Sequence, residues 1–295
     1  MTCPATVGTP TVLAAAAAAV CLVVAASSCS AEDADGAGGT GGPSLPPSGG
    51  IDYQLGGAYE PPAGTTVVVR DASADPVEGV YSVCYLNAFQ SQPGTADSWG
   101  DLLLRDASGA PVADPDWPDE FLLDTSSAVR RAEIADRLAP EIRGCADAGF
   151  DAVEFDNLDS SLRSGDAGTE RAPGLTPGLT PGLTPGLTPT DNLALARLLT
   201  DVARDAGLAS AQKNAPELAG EGKDAGFGFA VAEDCGAYGE CAEYTAVYGT
   251  VLDIEYADAT EFTGLCRSGD LPEQTVRRDL GLVTPEEPDY AFDRC

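Results

Sequence analysis

The sequence contains no histidine among its 295 residues. This absence excludes a Ser-His-Asp triad, a Cys-His pair and the usual zinc sites. Acid–base chemistry near neutral pH must therefore use Asp, Glu, Tyr, Lys or Cys side chains.

Basic residues are also scarce: 16 Lys and Arg stand against 47 Asp and Glu, which gives a net charge of −31. Such a surface repels nucleic acid and anionic membranes, so no nucleic-acid partner is expected. The charge either is simply solvated or attracts a cationic partner. Apolar residues make up 43% of the chain, enough for the core of one large domain.

The N-terminal segment resembles an export signal. Residues 11–26 form an apolar stretch that is short for a membrane span, and Cys29 follows among small residues, as at a lipoprotein cleavage site. No Lys or Arg precedes the stretch, and Ala26 stands where such sites favour Leu. We expect residues 1–29 to be a signal peptide, with lipid attachment and membrane tethering at Cys29 as the alternative to free secretion.

Residues 30–51 contain mainly Gly, Pro, Ser and acidic residues, so we expect a disordered linker and a folded domain at 52–295. Six cysteines lie in that domain, an even number that suggests disulfides in an exported protein. Of fifteen pairings, Cys235 with Cys241 is the simplest local one, and Cys266 could pair with Cys295. No C-x-x-C pair occurs, and we predict no metal or cofactor.

Short apolar runs alternate with helical patterns at residues 127–148 and 191–206. This order predicts an α/β fold, a single (β/α)8 TIM-type barrel. An open doubly wound sheet is the alternative, but its G-x-G-x-x-G turn is missing. The predicted strands are residues 66–70, 80–86, 120–125, 152–156, 209–214, 227–234, 250–256 and 279–283.

The tetrapeptide GLTP occurs four times at residues 174–189. Proline at every fourth position prevents a helix and interrupts strand pairing. We interpret the repeat as a flexible loop inserted between a strand and a helix; a substrate lid is a second interpretation.

Several predicted strands end in polar residues, which would meet at the carboxyl-terminal mouth of a barrel. Two carboxylates converging there can cleave a glycosidic bond without metal or histidine. The strand ends are Asp156-Asn157, Lys213-Asn214, Glu233-Asp234 and Glu255-Tyr256.

Other interpretations of these residues remain open. Asp159 could simply cap a helix. Glu154 could contact substrate or be an inward structural partner of Lys213. Calcium at Asp156, Asn157 and Asp159 is disfavoured, because the twelve-residue loop with its terminal Glu is absent.

A family resemblance runs through seven segments in order between about residues 52 and 266. The chain resembles the family 114 glycoside hydrolases, the endo-α-1,4-polygalactosaminidases. The segments are YQLGGAYEPP (53–62), CYLNAFQSQPG (84–94), DWPDEFLLDTSS (116–127), GFDAVEFDNLDS (149–160), QKNAPEL (212–218), FAVAEDCGAYGEC (229–241) and IEY (254–256).

The resemblance implies a (β/α)8 barrel that cleaves internal α-1,4 linkages in galactosamine-containing polysaccharide. The family's catalytic Asp, in D-N-x-D, falls on Asp156, and its catalytic Glu, in N-E-x-C, falls on Glu233. Ala232 replaces the Asn before that Glu. We expect a retaining double displacement with Asp156 as nucleophile and Glu233 as acid/base, the reverse roles remaining open. The proton donor should have a raised pKa.

De-N-acetylated galactosamine is cationic, so acidic residues of the cleft could attract it. Trp117 and Tyr85 either stack on sugar rings or belong to the core. A monomer is expected, and the competing function is a catalytically inactive, carbohydrate-binding surface lipoprotein. The predicted substrate-binding residues are Asp71, Tyr85, Trp117, Asp124, Glu154, Asn157, Asp159, Lys213, Asn214 and Glu255.

Overall fold

The structure, a computed structural model, describes residues 42–164 and 186–295. The predicted signal peptide with Cys29, most of the predicted linker and the first three GLTP copies lie outside the described residues. In the part of the chain that is described, no helix is long and apolar enough to cross a membrane.

The fold is a nearly closed barrel of mainly parallel strands. Each of the first seven strands pairs in parallel with the next one along the chain, and β1 also lies beside β8. The last strand pairs antiparallel with β8. The strands are β1 (Gly50–Gln54), β2 (Thr65–Asp71), β3 (Tyr81–Asn87), β4 (Ala152–Asp156), β5 (Ala209–Lys213), β6 (Phe229–Glu233), β7 (Val251–Glu255), β8 (Gln274–Arg278) and β9 (Phe292–Arg294).

Helices follow most strands and cover the barrel. They are α1 (Ala96–Trp99), α2 (Ala128–Ala148), α3 (Ser160–Arg163), α4 (Pro189–Asp205), α5 (Ala219–Asp224), α6 (Cys235–Tyr238), α7 (Cys241–Thr245) and α8 (Ala259–Ser268). Short 3-10 turns lie at Gly100–Leu102 and Pro216–Leu218. Because side chains alternate along each strand, inward ones such as Val69 and Ile254 fill the barrel, while outward ones such as Phe155 pack under the helices.

The barrel and the two long helices confirm the sequence prediction. Helix α2 begins after Ser127, whose hydroxyl accepts a hydrogen bond from the Arg130 amide, and ends at Gly149 with φ 99°. Helix α4 starts inside the last GLTP copy. Thr188 and Asp191 form a capping box there, and Pro189 occupies the first helical turn, where proline is tolerated.

Two predicted strands are wrong, and three observed strands, β1, β8 and β9, were missed. Residues 120–125 are apolar but make isolated antiparallel bridges, Gln90 to Leu122 and Leu103 to Leu123, in the excursion between β3 and α2 (residues 88–127). Residues 279–283 follow the eighth strand, which is formed by the more polar segment Gln274–Arg278. The barrel instead begins with β1, which lies partly in the predicted linker.

The packed chain also extends upstream of β1. The Ser44 carbonyl accepts a hydrogen bond from the Tyr81 hydroxyl, and the Pro47 carbonyl accepts one from Gln274. Residues 44–51 are therefore attached to the barrel, although their composition suggested a linker.

Three disulfides tie the fold together. Cys235–Cys241 and Cys266–Cys295 are the two pairs that sequence separation favoured. The third, Cys84–Cys145, joins β3 to α2. Disulfides of this kind persist in oxidising compartments.

Candidate active site

One buried ammonium group organises the carboxyl-terminal mouth of the barrel. Lys213, the last residue of β5, is 2% exposed. Its Nζ lies 3.3 Å from Glu154 Oε1, 3.6 Å from Asp156 Oδ1 and 3.2 Å from Glu233 Oε2. These carboxylates come from β4 and β6, the strands that flank β5. Burial alone would lower the pKa of Lys213, but the carboxylates, Asp156 and Glu233 foremost, raise it well above its ordinary value, so the lysine remains charged.

Hydrogen bonds to neighbouring strands position Asp156. Its Oδ2 accepts a bond of 2.7 Å from the Tyr85 hydroxyl on β3, and its Oδ1 accepts one of 2.8 Å from the Asn157 amide. Asn157 adopts φ 70°, a left-handed conformation that asparagine tolerates. The chain therefore turns immediately after β4 in a way that directs a backbone donor at the carboxylate.

Glu233 is held as an anion. The Tyr256 hydroxyl donates to its Oε1 at 2.6 Å, and Asn214 Nδ2 donates to its Oε2 at 3.0 Å. Burial acts to raise the pKa of Glu233, but the Lys213 charge and these hydrogen bonds outweigh it and lower the pKa below its ordinary value. A raised pKa was expected of a proton donor, so the free protein does not present Glu233 in that form.

Glu154 lies beneath the accessible carboxylates. It is fully buried, and its Oε1 accepts a hydrogen bond of 2.7 Å from the Tyr53 hydroxyl, which also contacts Lys213 at 3.1 Å. Burial, opposed by Lys213, raises the pKa of Glu154 to about 7. Of its two sequence interpretations, the inward partner of Lys213 matches the geometry.

Asp156 and Glu233 remain reachable from outside, with side chains 17% and 28% exposed. Their distances of 3.6 Å and 3.2 Å to one nitrogen keep the two contacting oxygens within about 7 Å of each other. Carboxyl groups are separated by about 5–5.5 Å in retaining enzymes and by about 6.5–9.5 Å in inverting ones, and this limit on one pair of oxygens is compatible with both. The pair can therefore act on one glycosidic bond.

A polar network borders Asp156 on the side of β3. Asn157 donates to Asn87 Oδ1 at 2.9 Å and accepts from Arg163 at 2.8 Å. Arg163 also pairs with Asp159 at 2.8 Å and with Asp114 at 2.6 Å. Asp159 is therefore already paired with Arg163. This pairing removes one of the three ligands of the calcium site that was disfavoured on the sequence.

Three predicted substrate contacts are not brought to this cluster. Asp71 accepts hydrogen bonds from Ser73 in the turn after β2. Asp124 pairs with Arg130 at 3.2 Å near the start of α2. Glu255 points away from the barrel axis, because alternation places it on the outer face of β7, and its Oε1 accepts from the Gly236 amide at 2.6 Å. Glu255 occupies a strand end but lies on the outer face, whereas Asp71 shares the inward face of Val69 and is held by Ser73 instead.

Trp117 is 59% exposed on the excursion after β3, whereas Tyr85 is half-buried with its hydroxyl on Asp156.

Sequence reasoning missed several residues that border the site. Asn87 and Tyr256 carry a usable signal, since both stand at a strand end, as Asp156 and Lys213 do. The missed residues are Tyr53, Asn87, Asp114, Glu120 and Arg163, while Tyr256 was named as a strand end but given no role.

Two accessible carboxylates that contact one buried ammonium group at the mouth of a barrel form the kind of site that glycoside hydrolases use. The chain belongs to the glycoside-hydrolase family GH114, whose model matches residues 36–295. The family resemblance expected from the sequence is confirmed, and the protein is a glycoside hydrolase.

Solved structures with a similar fold include Ega3 of Aspergillus fumigatus in complex with galactosamine. It is 19% identical, with a TM-score of 0.62 over 85% of this chain and 97% of that one. The glycoside hydrolase domain of PelA from Pseudomonas aeruginosa is 17% identical, with a TM-score of 0.49 over 80% and 96%. At these identities the likeness concerns the fold alone. No curated protein matches the chain.

Proposed function

We propose that this protein is an exported, endo-acting hydrolase of α-1,4 linkages in galactosamine-containing polysaccharide. The observation that carries the proposal is the contact of Asp156 and Glu233 with one ammonium at the accessible mouth of the barrel. Membership of GH114 supports the hydrolase class, and the galactosamine bound to Ega3 supports the sugar.

The chemistry is a retaining double displacement. One carboxylate attacks the anomeric carbon while the other carboxyl group protonates the departing glycosidic oxygen; the second group then removes a proton from the water that releases the sugar. Lys213, with Tyr85 and Tyr256, lowers the free energy of whichever carboxylate is charged. The family resemblance makes Asp156 the nucleophile, whereas the lowered pKa of Glu233 in the free protein favours the reverse roles.

The inactive-lipoprotein alternative depended on Ala232 and on the GLTP insertion, most of which lies outside the described residues. Ala232 is fully buried in the core between the strands and the helices, on the face of β6 opposite to Glu233. An amide at position 232 would therefore point away from the carboxylate, and Asn214 supplies an amide to Glu233 directly. The substitution gives no support to loss of turnover.

Export is supported by the three disulfides. We propose that residues 1–29 are a signal peptide, that a linker begins at residue 30 and that a single catalytic domain follows. The mature protein is then either freely secreted or anchored through Cys29. Processing at Cys29 is checked by intact mass measurement of the mature protein.

The decisive experiment is product analysis on partly de-N-acetylated α-1,4-galactosaminan. Wild type should release oligosaccharides of mixed length, and NMR should detect the α anomer first. D156N and E233Q should bind the polymer without releasing reducing ends. Wild-type release no higher than that of the two variants would reject the hydrolase.

Small nucleophiles then assign the two roles. In a retaining enzyme, azide added to the alanine variant of the nucleophile yields the β-glycosyl azide, and azide added to the acid/base variant yields the α-glycosyl azide. D156A and E233A should therefore give opposite anomers, and the variant that gives the β product identifies the nucleophile.

A further inference from the structure

The excursion after β3 carries an exposed aromatic ring, Trp117, three residues before Glu120. Leu103 and Phe121 take part in antiparallel bridges that form its base. At its tip, Asp114 Oδ1 accepts the amide of Trp117, whose carbonyl accepts the amide of Glu120. Trp117 and Glu120 thus belong to one turn with a defined backbone.

Glu120 is attached to the same edge of the barrel as Asp156. Its Oε2 accepts a hydrogen bond of 2.7 Å from Asn87 Nδ2, and Asn87 pairs with Asp156 in the β3–β4 register. The side chain of Glu120 is half-buried. A carboxylate that sequence reasoning did not select therefore lies beside the candidate catalytic residue.

Every acidic side chain named so far around Asp156, except Glu120, lies within salt-bridge distance of a cation. Lys213 contacts Glu154, Asp156 and Glu233, and Arg163 contacts Asp114 and Asp159.

Within residues 42–164 and 186–295, no ion pair involves Glu120, whose hydrogen-bond donor is the neutral amide of Asn87. Burial raises the pKa of Glu120; the charges of Asp156 and Asp114 add to this, while the Asn87 hydrogen bond and the more distant charge of Arg163 oppose it. A partly desolvated carboxylate among acidic neighbours is favourable only when a cation joins it.

We propose that Trp117 and Glu120 form a subsite for a protonated 2-amino sugar adjacent to Asp156. The indole packs against the apolar face of the ring, and the Glu120 carboxylate accepts a charge-assisted hydrogen bond from the ammonium group. An N-acetyl group carries no charge and is bulkier, so this subsite selects de-N-acetylated residues. The inference rests on the proposed function, because it assigns the amino sugar to one side of that cleft.

The test compares wild type, E120Q and D119N for binding and cleavage of two α-1,4-galactosamine oligomers, one free of acetyl groups and one fully N-acetylated. Gln at position 120 keeps an acceptor for Asn87 and removes only the charge. Asp119 is the exposed neighbouring acid, so D119N removes the same charge from the same turn.

Calorimetry should find that wild type prefers the free amine, that E120Q weakens its binding about tenfold and that D119N binds like wild type. E120Q should change affinity for the N-acetylated oligomer less than about twofold, and kcat/KM should follow the same pattern. W117A should weaken the binding of both oligomers, because each presents the same apolar sugar face to the indole.

Equal wild-type affinity for the two oligomers, or an equal loss of both in E120Q, would overturn the subsite. Binding is measured with E233Q added to each protein, which blocks turnover of the oligomers, so these results are separate from a failure of hydrolysis. A wild type that prefers the free amine but cleaves neither oligomer would reject the proposed function and retain the subsite.

Discussion

The Nζ atom of Lys213 lies 3.2 Å from the carboxylate of Glu233, and together with Glu154 and Asp156 this gives one ammonium for three acidic groups. The ammonium is shielded from water, so its charge acts strongly on each of them. Lys213 therefore favours the charged forms of Glu154 and Glu233 without being accessible to a sugar.

Replacing Lys213 by methionine should cost about 3–5 kcal/mol of unfolding free energy and abolish hydrolysis, because buried carboxylates lose their counter-ion. Denaturant unfolding and initial rates measure the two effects. Lys223 is exposed and donates to the Val247 carbonyl, so K223M is the matched control and should change neither quantity appreciably. Adding E154Q to K213M should recover part of the stability; no recovery would mean that the lysine acts by packing alone.

Tyr256 should set the ionisation of Glu233. Removing its hydroxyl in Y256F deletes the 2.6 Å hydrogen bond to Oε1 and so raises the pKa of Glu233 towards its ordinary value. The limb of the kcat/KM profile that reports Glu233 should move to higher pH, with a rate loss of about tenfold or more.

The Y81F variant is the control for Y256F, because it removes a tyrosine hydroxyl far from Glu233. The Tyr81 hydroxyl donates to the Ser44 carbonyl at the start of β3, the opposite end of the barrel. Y81F should leave the profile unchanged, and an identical shift in both variants would contradict a local effect.

Glu154 should make folding stability depend on pH. Its pKa of about 7 in the folded state exceeds the ordinary value of a glutamate, so the folded protein retains a proton that the unfolded chain releases. This contribution is complete below the ordinary pKa and is lost as pH rises towards 7. The unfolding free energy of wild type should fall across that window, and E154Q should show a shallower decline. Parallel declines in the two proteins would exclude Glu154 as the source.

Sequence patterns predicted the barrel because its inward and outward strand faces are both apolar and because helix α2 has clear end signals. They failed at β8, where the buried polar residues Gln274 and Arg278 donate to the carbonyls of Pro47 and Tyr53, more than 200 residues away in the chain. An apolar run at 120–125 resembled a barrel strand, although its partners Gln90 and Leu103 place it in the excursion. Local composition carries no information about such long-range pairing.

The same limit applies to the site. Asp156 and Lys213 were found because polar strand ends meet at one mouth of a barrel. Glu255 satisfies that rule equally well, yet it lies on the outer face of its strand. Glu120 follows no strand of the barrel, and only the Asn87 contact brings it next to Asp156.

Glu255, which was predicted to contact substrate, instead forms a second acidic pair with Asp253 on the outer face of β7. Both side chains are fully buried. The Thr275 hydroxyl donates to Asp253 Oδ2 at 3.0 Å, while Asp253 Oδ1 and Glu255 Oε2 have no partner among the described residues. Arg277, paired with Glu255 in the β7–β8 register, directs its guanidinium to Asp293 instead.

Burial, with the charge of Glu255 next, raises the pKa of Asp253 well above its ordinary value, and burial also raises that of Glu255. Two carboxyl groups in this setting share a proton rather than ionise together. The stability that the shared proton provides is therefore present at acidic pH and declines as pH rises above the ordinary carboxyl range.

The D253N substitution should provide an amide N–H donor in place of the proton that Asp253 and Glu255 share. This donor does not titrate. D253N should then unfold at a higher temperature than wild type at pH 8 and show a smaller difference at pH 5, as measured by calorimetry at both pH values. D270N, which removes an exposed acid after α8, should follow wild type at both. If D253N were destabilised equally at pH 5 and pH 8, Asp253 would be required as an ionised carboxylate, and the shared proton would be excluded.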